Sequence, residues 1–199
     1  MPNLKSIHRK VQNSRGLSRK LDTVMRGKFQ KQKERLLNDF DFHPVTKEIL
    51  GGPDAENGSG TLLGYGNLFS FIGFEDGSNP TFIVRAFLDE MTKISRSRKT
   101  AGNKVGYDYK VRILDLQDFR SIAPLPWEAG RSWVEGIERG ISGLGFYINN
   151  SRSGRSGGGI QAKNKIRAMG FKNIKYMSEM IRNFTKNVRK IKWRHSLRI

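Results

Sequence analysis

The placement of charge constrains this chain more than any other feature. Its 199 residues carry 37 Lys/Arg against 18 Asp/Glu, a formal net charge of +19. Residues 1–38 hold 11 basic side chains and 2 acidic ones, and residues 151–199 hold 14 basic ones and a single acid, Glu179. The stretch between them, 39–150, holds 12 basic and 15 acidic side chains and is close to neutral. A near-neutral folded body with two cationic extensions is therefore expected. Such extensions repel each other unless a polyanion or an acidic protein surface offsets them. Nucleic acid is the common polyanion. The apolar share of 36% lies below the globular norm, so the core cannot occupy the whole chain.

Hydrophobic spacing outlines the elements. Leu17, Leu21, Val24, Met25, Phe29, Leu36, Leu37 and Phe40 recur at helical spacing, with a gap at Gln32–Lys33 and a weakening Gly27. They predict a long N-terminal helix that stops before Pro44, because the residue preceding a proline avoids the α region. GGPDAENGSG (51–60) reads as a loop. GNLFSFIGF (66–74) is apolar on both faces and reads as a buried strand. Asn79 and Pro80 begin a helix over about 80–95, with Ile83, Phe87, Met91 and Ile94 as its stripe. YDYKVRILDL (107–116) alternates: Tyr109, Val111 and Ile113 lie on one face, Lys110 and Arg112 on the other. Ser132 and Glu135 form a capping-box pattern ahead of a short helix, and GLGFYIN (143–149) reads as a strand.

The clearest periodicity comes last. Ile174, Met177, Ile181, Phe184, Val188 and Ile191 make an a/d-type stripe along a helix of about 20 residues, 172–192. Lys175, Arg182, Lys186, Arg189, Lys190 and Lys192 lie between them, so one face packs on protein and the rest is positive. The expected fold class is α+β. It has a long N-terminal helix, a small mostly antiparallel sheet with short helices, and a long amphipathic C-terminal helix. In this reading residues 1–16 form a basic arm, 17–192 a single domain and 193–199 a basic tail. Flexible basic loops fall at 95–104 and 151–160.

Catalytic and metal chemistry find little to work with. The chain has no cysteine, hence no disulfide, thiolate ligand or thiol nucleophile. His8, His43 and His195 are far apart in sequence and lack metal-ligand spacing. Ser59 sits in turn chemistry. The glycines of SRSGRSGGGI (151–160) are not followed by Lys-Ser or Lys-Thr, which excludes a Walker-type phosphate loop. Asp54, Glu56 and Asn57 are only a fragment of a calcium loop. Glu135 and Glu138 are expected to be a cap and an ion-pair partner of Arg131 or Arg139. No cofactor, metal or catalytic residue is expected. No apolar run reaches the roughly 20 residues of a membrane span, and MPNLKSIHRK lacks the apolar core of a signal peptide.

Polyanion contact would be phosphate-directed and weakly sequence-dependent. Arg152, Arg155, Lys163, Lys165 and Arg167 form the best basic cluster, and Arg96, Arg98, Lys99 and Lys104 the second. Trp127 and Trp133 flank the break in PLPWEAGRSW and are equally suited to plugging a core or forming an interface.

A layout of this kind, with SGTLLGYGNLFSFIGF after the first helix and the window PWEAGRSWVEGIERGISGLGFYINNSRSGRSGGGIQ, resembles the neck or tail-completion proteins of tailed bacteriophages. Members often carry an Asp-Thr-Gly-x-Leu-Arg-like segment; the nearest stretch here is Asn57-Gly58-Ser59-Gly60-Thr61-Leu62, without the arginine. The resemblance implies a non-enzymatic α+β subunit that forms a ring with its own copies at the head–tail junction. Its other partners would be the connector, the tail terminator and the tail tube, with DNA phosphate contacts possible. The loop 151–160 would be a flap ordered by a neighbour. A basic ribosomal or other ribonucleoprotein component binding RNA phosphates suits the same charge. A metal nuclease built on Glu128, Glu135 or Asp115 is a distant third.

Overall fold

The computed structural model describes residues 6, 10, 14–62, 66–99, 107–139, 172 and 174–191. Helix α1 (Arg15–Phe42) runs 28 residues and ends where Pro44 required. Gly27 does not break it: the helix carries the glycine on its exposed side and buries Met25, Phe29, Leu36, Leu37 and Phe40. In the gap of the stripe, Lys33 pairs with Asp89 at 2.6 Å. His43 turns the chain into α2 (Pro44–Leu50), where its Nδ1 accepts the Val45 N–H at 3.2 Å as the N-cap. A short 3₁₀ turn (Gly52–Asp54) follows within the expected loop.

The segment expected to be a strand at 66–74 is a one-turn helix, α3 (Leu68–Ile72). Asn67 caps it by accepting the Ser70 N–H at 2.9 Å, and Gly73, at φ +84°, closes it in the left-handed region. A five-residue run with four apolar side chains around Ser70 satisfies a buried helix as well as a buried strand. The cap in front and the glycine behind decide the outcome.

Helix α4 (Pro80–Met91) starts on the expected Asn79–Pro80 pair. Its buried residues are Thr81, Val84 and Leu88, so the core face is rotated from the expected stripe. Ile83 points outward, while Phe87 and Met91 are only partly covered. Strands β1 (Ile94–Lys99) and β2 (Tyr107–Val111) pair antiparallel in the register Ile94↔Val111, Ser95↔Lys110, Arg96↔Tyr109 and Lys99↔Tyr107. Residues 95–99, expected to begin a flexible basic loop, are thus strand, because the alternating partner at 107–111 supplies a ladder. The rest of that loop lies outside the described residues. Ile113 falls beyond β2 and is exposed.

A 3₁₀ turn (Gln117–Phe119) leads to β3 (Pro124–Leu125), which pairs antiparallel with β4 (Glu128–Ser132). The expected single small sheet is therefore two separate two-stranded pairs. Helix α5 (Trp133–Arg139) continues directly from β4. The strand expected at 143–149 lies outside the described residues. Helix α6 (Met177–Lys190) is the amphipathic C-terminal helix; at 14 residues it is shorter than the 172–192 expected, leaving Ile174 and Ile191 outside it, and it buries Met177, Met180, Phe184 and Val188. The architecture is α+β, as the periodicity indicated. One core runs through α1, α2, α3, α4, α5 and α6.

Candidate assembly and polyanion-contact site

The packing candidates from the sequence are core groups. Trp133 is 1% exposed, edge-on to Phe74 at 5.7 Å and stacked on Tyr176 at 6.4 Å. Trp127 is partly buried and donates its indole N–H to the Ile72 carbonyl at 2.9 Å. Both tryptophans fasten their part of the chain to the α3 and α6 side of the core, Trp133 as an enclosed core group and Trp127 as a partly exposed one. Met177, Phe184 and Val188 are buried and Ile181 is half covered, with Phe184 edge-on to Phe29 of α1 at 6.1 Å. Ile174 lies before the helix and is half buried.

Two strong core groups escaped the spacing argument. Met180 sits between two stripe positions and is buried. Tyr176 is fully buried against Phe40, His43 and Trp133, with its hydroxyl 2.7 Å from Thr46 Oγ1. Burial is the main cause that pushes its phenol pKa up. A tyrosine just outside a helical stripe carries no periodic signal; only the contact with Thr46, 130 residues away, reveals its role.

Of the basic candidates, Arg96 is drawn inward. It pairs with Asp22 of α1 at 3.1 Å, contacts Ser18 Oγ and lies over the Tyr107 ring at 4.8 Å. Tyr109 donates its hydroxyl to the same Asp22 at 2.7 Å, and burial first, then that bond, pushes its pKa up. Arg96 is thus part of the strut between α1 and the β1–β2 hairpin. Arg98 and Lys99 lie on β1, and their side chains are outside the described residues. Arg152, Arg155, Lys163, Lys165 and Arg167, with the whole loop 151–160, also lie outside them.

The carboxylates that a nuclease reading required each have a structural partner. Asp115 accepts the N–H groups of Gln117 and Asp118, and Glu128 pairs with Arg131 at 2.8 Å. Glu135 takes the fork of Arg120, at 2.9 and 3.0 Å, and also contacts Arg139. The Arg120 hydrogen bonds are the main cause that lowers the Glu135 pKa, with burial opposing them. Glu138 accepts the N–H of Ser178 at 2.6 Å and so caps α6 from another helix. The capping-box role expected for Glu135 is not the one it takes: Glu135 is the ion-pair partner of Arg120 and Arg139, and Glu138 is the cap. The capped helix, however, is 40 residues downstream. Ser132 Oγ accepts the Val134 N–H at 3.2 Å, which makes the local cap of α5.

Around Glu135 opens a cleft of about 220 Å³, lined by Arg120, Arg131, Arg139, Ser132 and two glycines. It was not legible in the sequence, because Arg120 arrives from the 3₁₀ turn, 15 residues before Glu135. Its chemistry is a charge latch between that turn and α5. Among the described residues no three His, Asp or Glu side chains come together as a metal site, and no helix is long and apolar enough to cross a membrane.

His43 provides a titratable joint at the α1–α2 corner. Burial is the main cause that lowers its pKa, while the fields of Glu179 and Glu138 oppose it. The Val45 N–H also needs an unprotonated Nδ1. A lowered folded pKa means that His43's contribution is complete above its unfolded value, about 6.5, and is lost as pH falls through the folded value. Urea unfolding should therefore show stability declining as pH drops below about 6.5. His43→Asn, which keeps a cap without titrating, should flatten that part of the profile; an unchanged slope would remove His43 as its source.

The chain matches no protein-family model, no curated protein and no solved structure.

Proposed function

We propose that this chain is a structural subunit of a tailed-phage virion, a neck or tail-completion protein that joins head and tail by assembling with its own copies in a ring. On this reading its other partners are the connector, the tail terminator and the tail tube. The observation that carries the assembly part is an apolar surface. Phe42, Leu50, Phe82 and Ile83 are 68%, 59%, 66% and 53% exposed. Phe42 ends α1, Leu50 ends α2, and Phe82 and Ile83 lie in the first turn of α4. The Arg85–Asp41 pair, at 2.8 Å, ties the start of α4 to the end of α1. Large apolar groups gathered this way on a strongly charged chain mark a protein contact. The near-neutral charge of 39–150 suits close approach of identical copies.

The tests separate assembly from location. Replacing Phe82 and Ile83 together with Asp should leave the fold within about 0.5 kcal/mol, since both side chains are outward and acids suit a helix start. Analytical ultracentrifugation should then show loss of the oligomer that the native chain forms. Assembly at native strength in that variant would remove this surface from the proposal. The neck reading itself is tested by sedimenting the native protein from its source, with nuclease treatment and mass spectrometry. Travel with capsid and tail proteins is expected; travel with RNase-sensitive particles would overturn it in favour of a ribonucleoprotein.

A further inference from the structure

The two cationic end regions of the chain, separated by more than a hundred residues in sequence, meet at one end of the described body. Helix α6 lies along α1 in the opposite direction: Tyr176, at its start, contacts Phe40, and Phe184 contacts Phe29. Beyond Phe184, α6 presents Lys186, Arg189 and Lys190, all exposed. Beyond Phe29, toward its own N-terminus, α1 presents Arg26, Lys20 and Arg19, also exposed. At about 1.5 Å rise per residue, both sets lie within roughly 15 Å along the axis from the Phe29–Phe184 contact.

A single α1 carboxylate, Asp22, one turn from Arg19 and from Arg26, lies beside these six cations. None of the six forms a salt bridge among the described residues. The nearby acid on α1, Asp22, is taken by Arg96 and Tyr109. Asp108 follows the opposite face of β2 from Tyr109, away from α1. Arg15, Arg19 and Lys20 also lie in the opening turns of α1, where the helix dipole is positive, and its first turn has no acid. Local electrostatics therefore oppose the fold here, and such a conflict marks a functional surface. Like charges this close are poorly screened at a Debye length of about 8–10 Å.

We infer that this two-helix end binds the phosphate backbone of double-stranded DNA. Single strands are held by stacking on exposed aromatics together with charge. The exposed aromatics of the described residues, Phe42 and Phe82, lie at the other end of α1, so this end offers cations without an exposed ring to stack on. That composition suits a duplex, whose bases are covered and whose phosphates are regularly spaced. The inference rests on the neck reading only for the choice of DNA over RNA; the placement of the cations is independent of it.

The test uses the full-length chain and a labelled duplex DNA of mixed sequence, followed by fluorescence anisotropy over a salt series. Lys186→Gln/Arg189→Gln/Lys190→Gln and Arg19→Gln/Lys20→Gln/Arg26→Gln should each weaken binding roughly tenfold or more near 0.1 M salt. Each should also lower the steepness of log K against log salt by about 2–3. Circular dichroism confirms that the variants fold. Native-strength binding by both variants, with loss only when Lys163, Lys165 and Arg167 are replaced, would overturn the proposal. So would tighter binding to single-stranded RNA, or displacement of the DNA by polyglutamate at equal charge. A wild-type chain that binds no duplex also overturns it, yet leaves the neck reading standing if the protein still sediments with virions.

Discussion

Trp133→Ala should be the most damaging single truncation in the described body, costing about 3–5 kcal/mol. The side chain is completely enclosed between Phe74 and Tyr176 at the junction of β4 and α5. Its removal leaves a cavity that α6 on one side and the Gly73–Phe74 turn on the other cannot both close. For a chain of this size each kcal/mol moves the midpoint by about 2–4 °C, so thermal unfolding should fall by roughly 6 °C or more. Trp133→Phe should recover much of that loss. A midpoint shift below about 2 °C in the alanine variant would mean that the site collapses freely and that Trp133 is not the plug described.

Glu48→Ala should come next, for a different reason. Glu48 is 3% exposed, yet it belongs to no ion pair among the described residues. Its two oxygens accept backbone N–H groups from a distant segment, Leu68 at 2.7 Å and Ser59 at 2.8 Å. It thereby anchors Ser59 and the start of α3 to α2. Orphaning the buried Leu68 N–H costs about 1–3 kcal/mol and the part-buried Ser59 N–H less, so the substitution should cost about 2–4 kcal/mol in all. Glu48→Gln isolates the cause: its carbonyl can still accept one N–H, but its NH₂ faces the other. It should lose clearly less than alanine, as measured by urea midpoints. Equal losses in the two variants would point to packing volume rather than hydrogen bonding.

These two residues show how unevenly the structure was legible. The outline of α1 and α6 followed from apolar spacing, because a helix on a core must repeat its buried face every three to four residues. The start of α4 followed from Asn79–Pro80, and the alternation of β2 from Tyr107–Val111. Where a segment was short or apolar all round, spacing had no power. Leu68–Ile72 became a helix through the Asn67 cap and the left-handed Gly73. The core face of α4 was set by the position of α1, which left Ile83 outside and made it part of the apolar surface.

The candidate sites divide the same way. The tryptophans, the α6 stripe and the basic character of both ends were visible as residue types. Their roles were not, since a role depends on the partner across space. Arg96 looked like a loop cation and is a strut to Asp22. Glu138 looked local and caps α6. The α+β class, the two principal helices and the segregation of charge follow from the order of amino acids alone, because they depend on near neighbours in the chain. Which tryptophan is core, where apolar groups stay exposed, and that the two cationic end regions lie side by side follow only from packing in space. Those outcomes depend on packing α6 along α1 through Phe29 and Phe184. That contact spans most of the chain, and no local pattern encodes it.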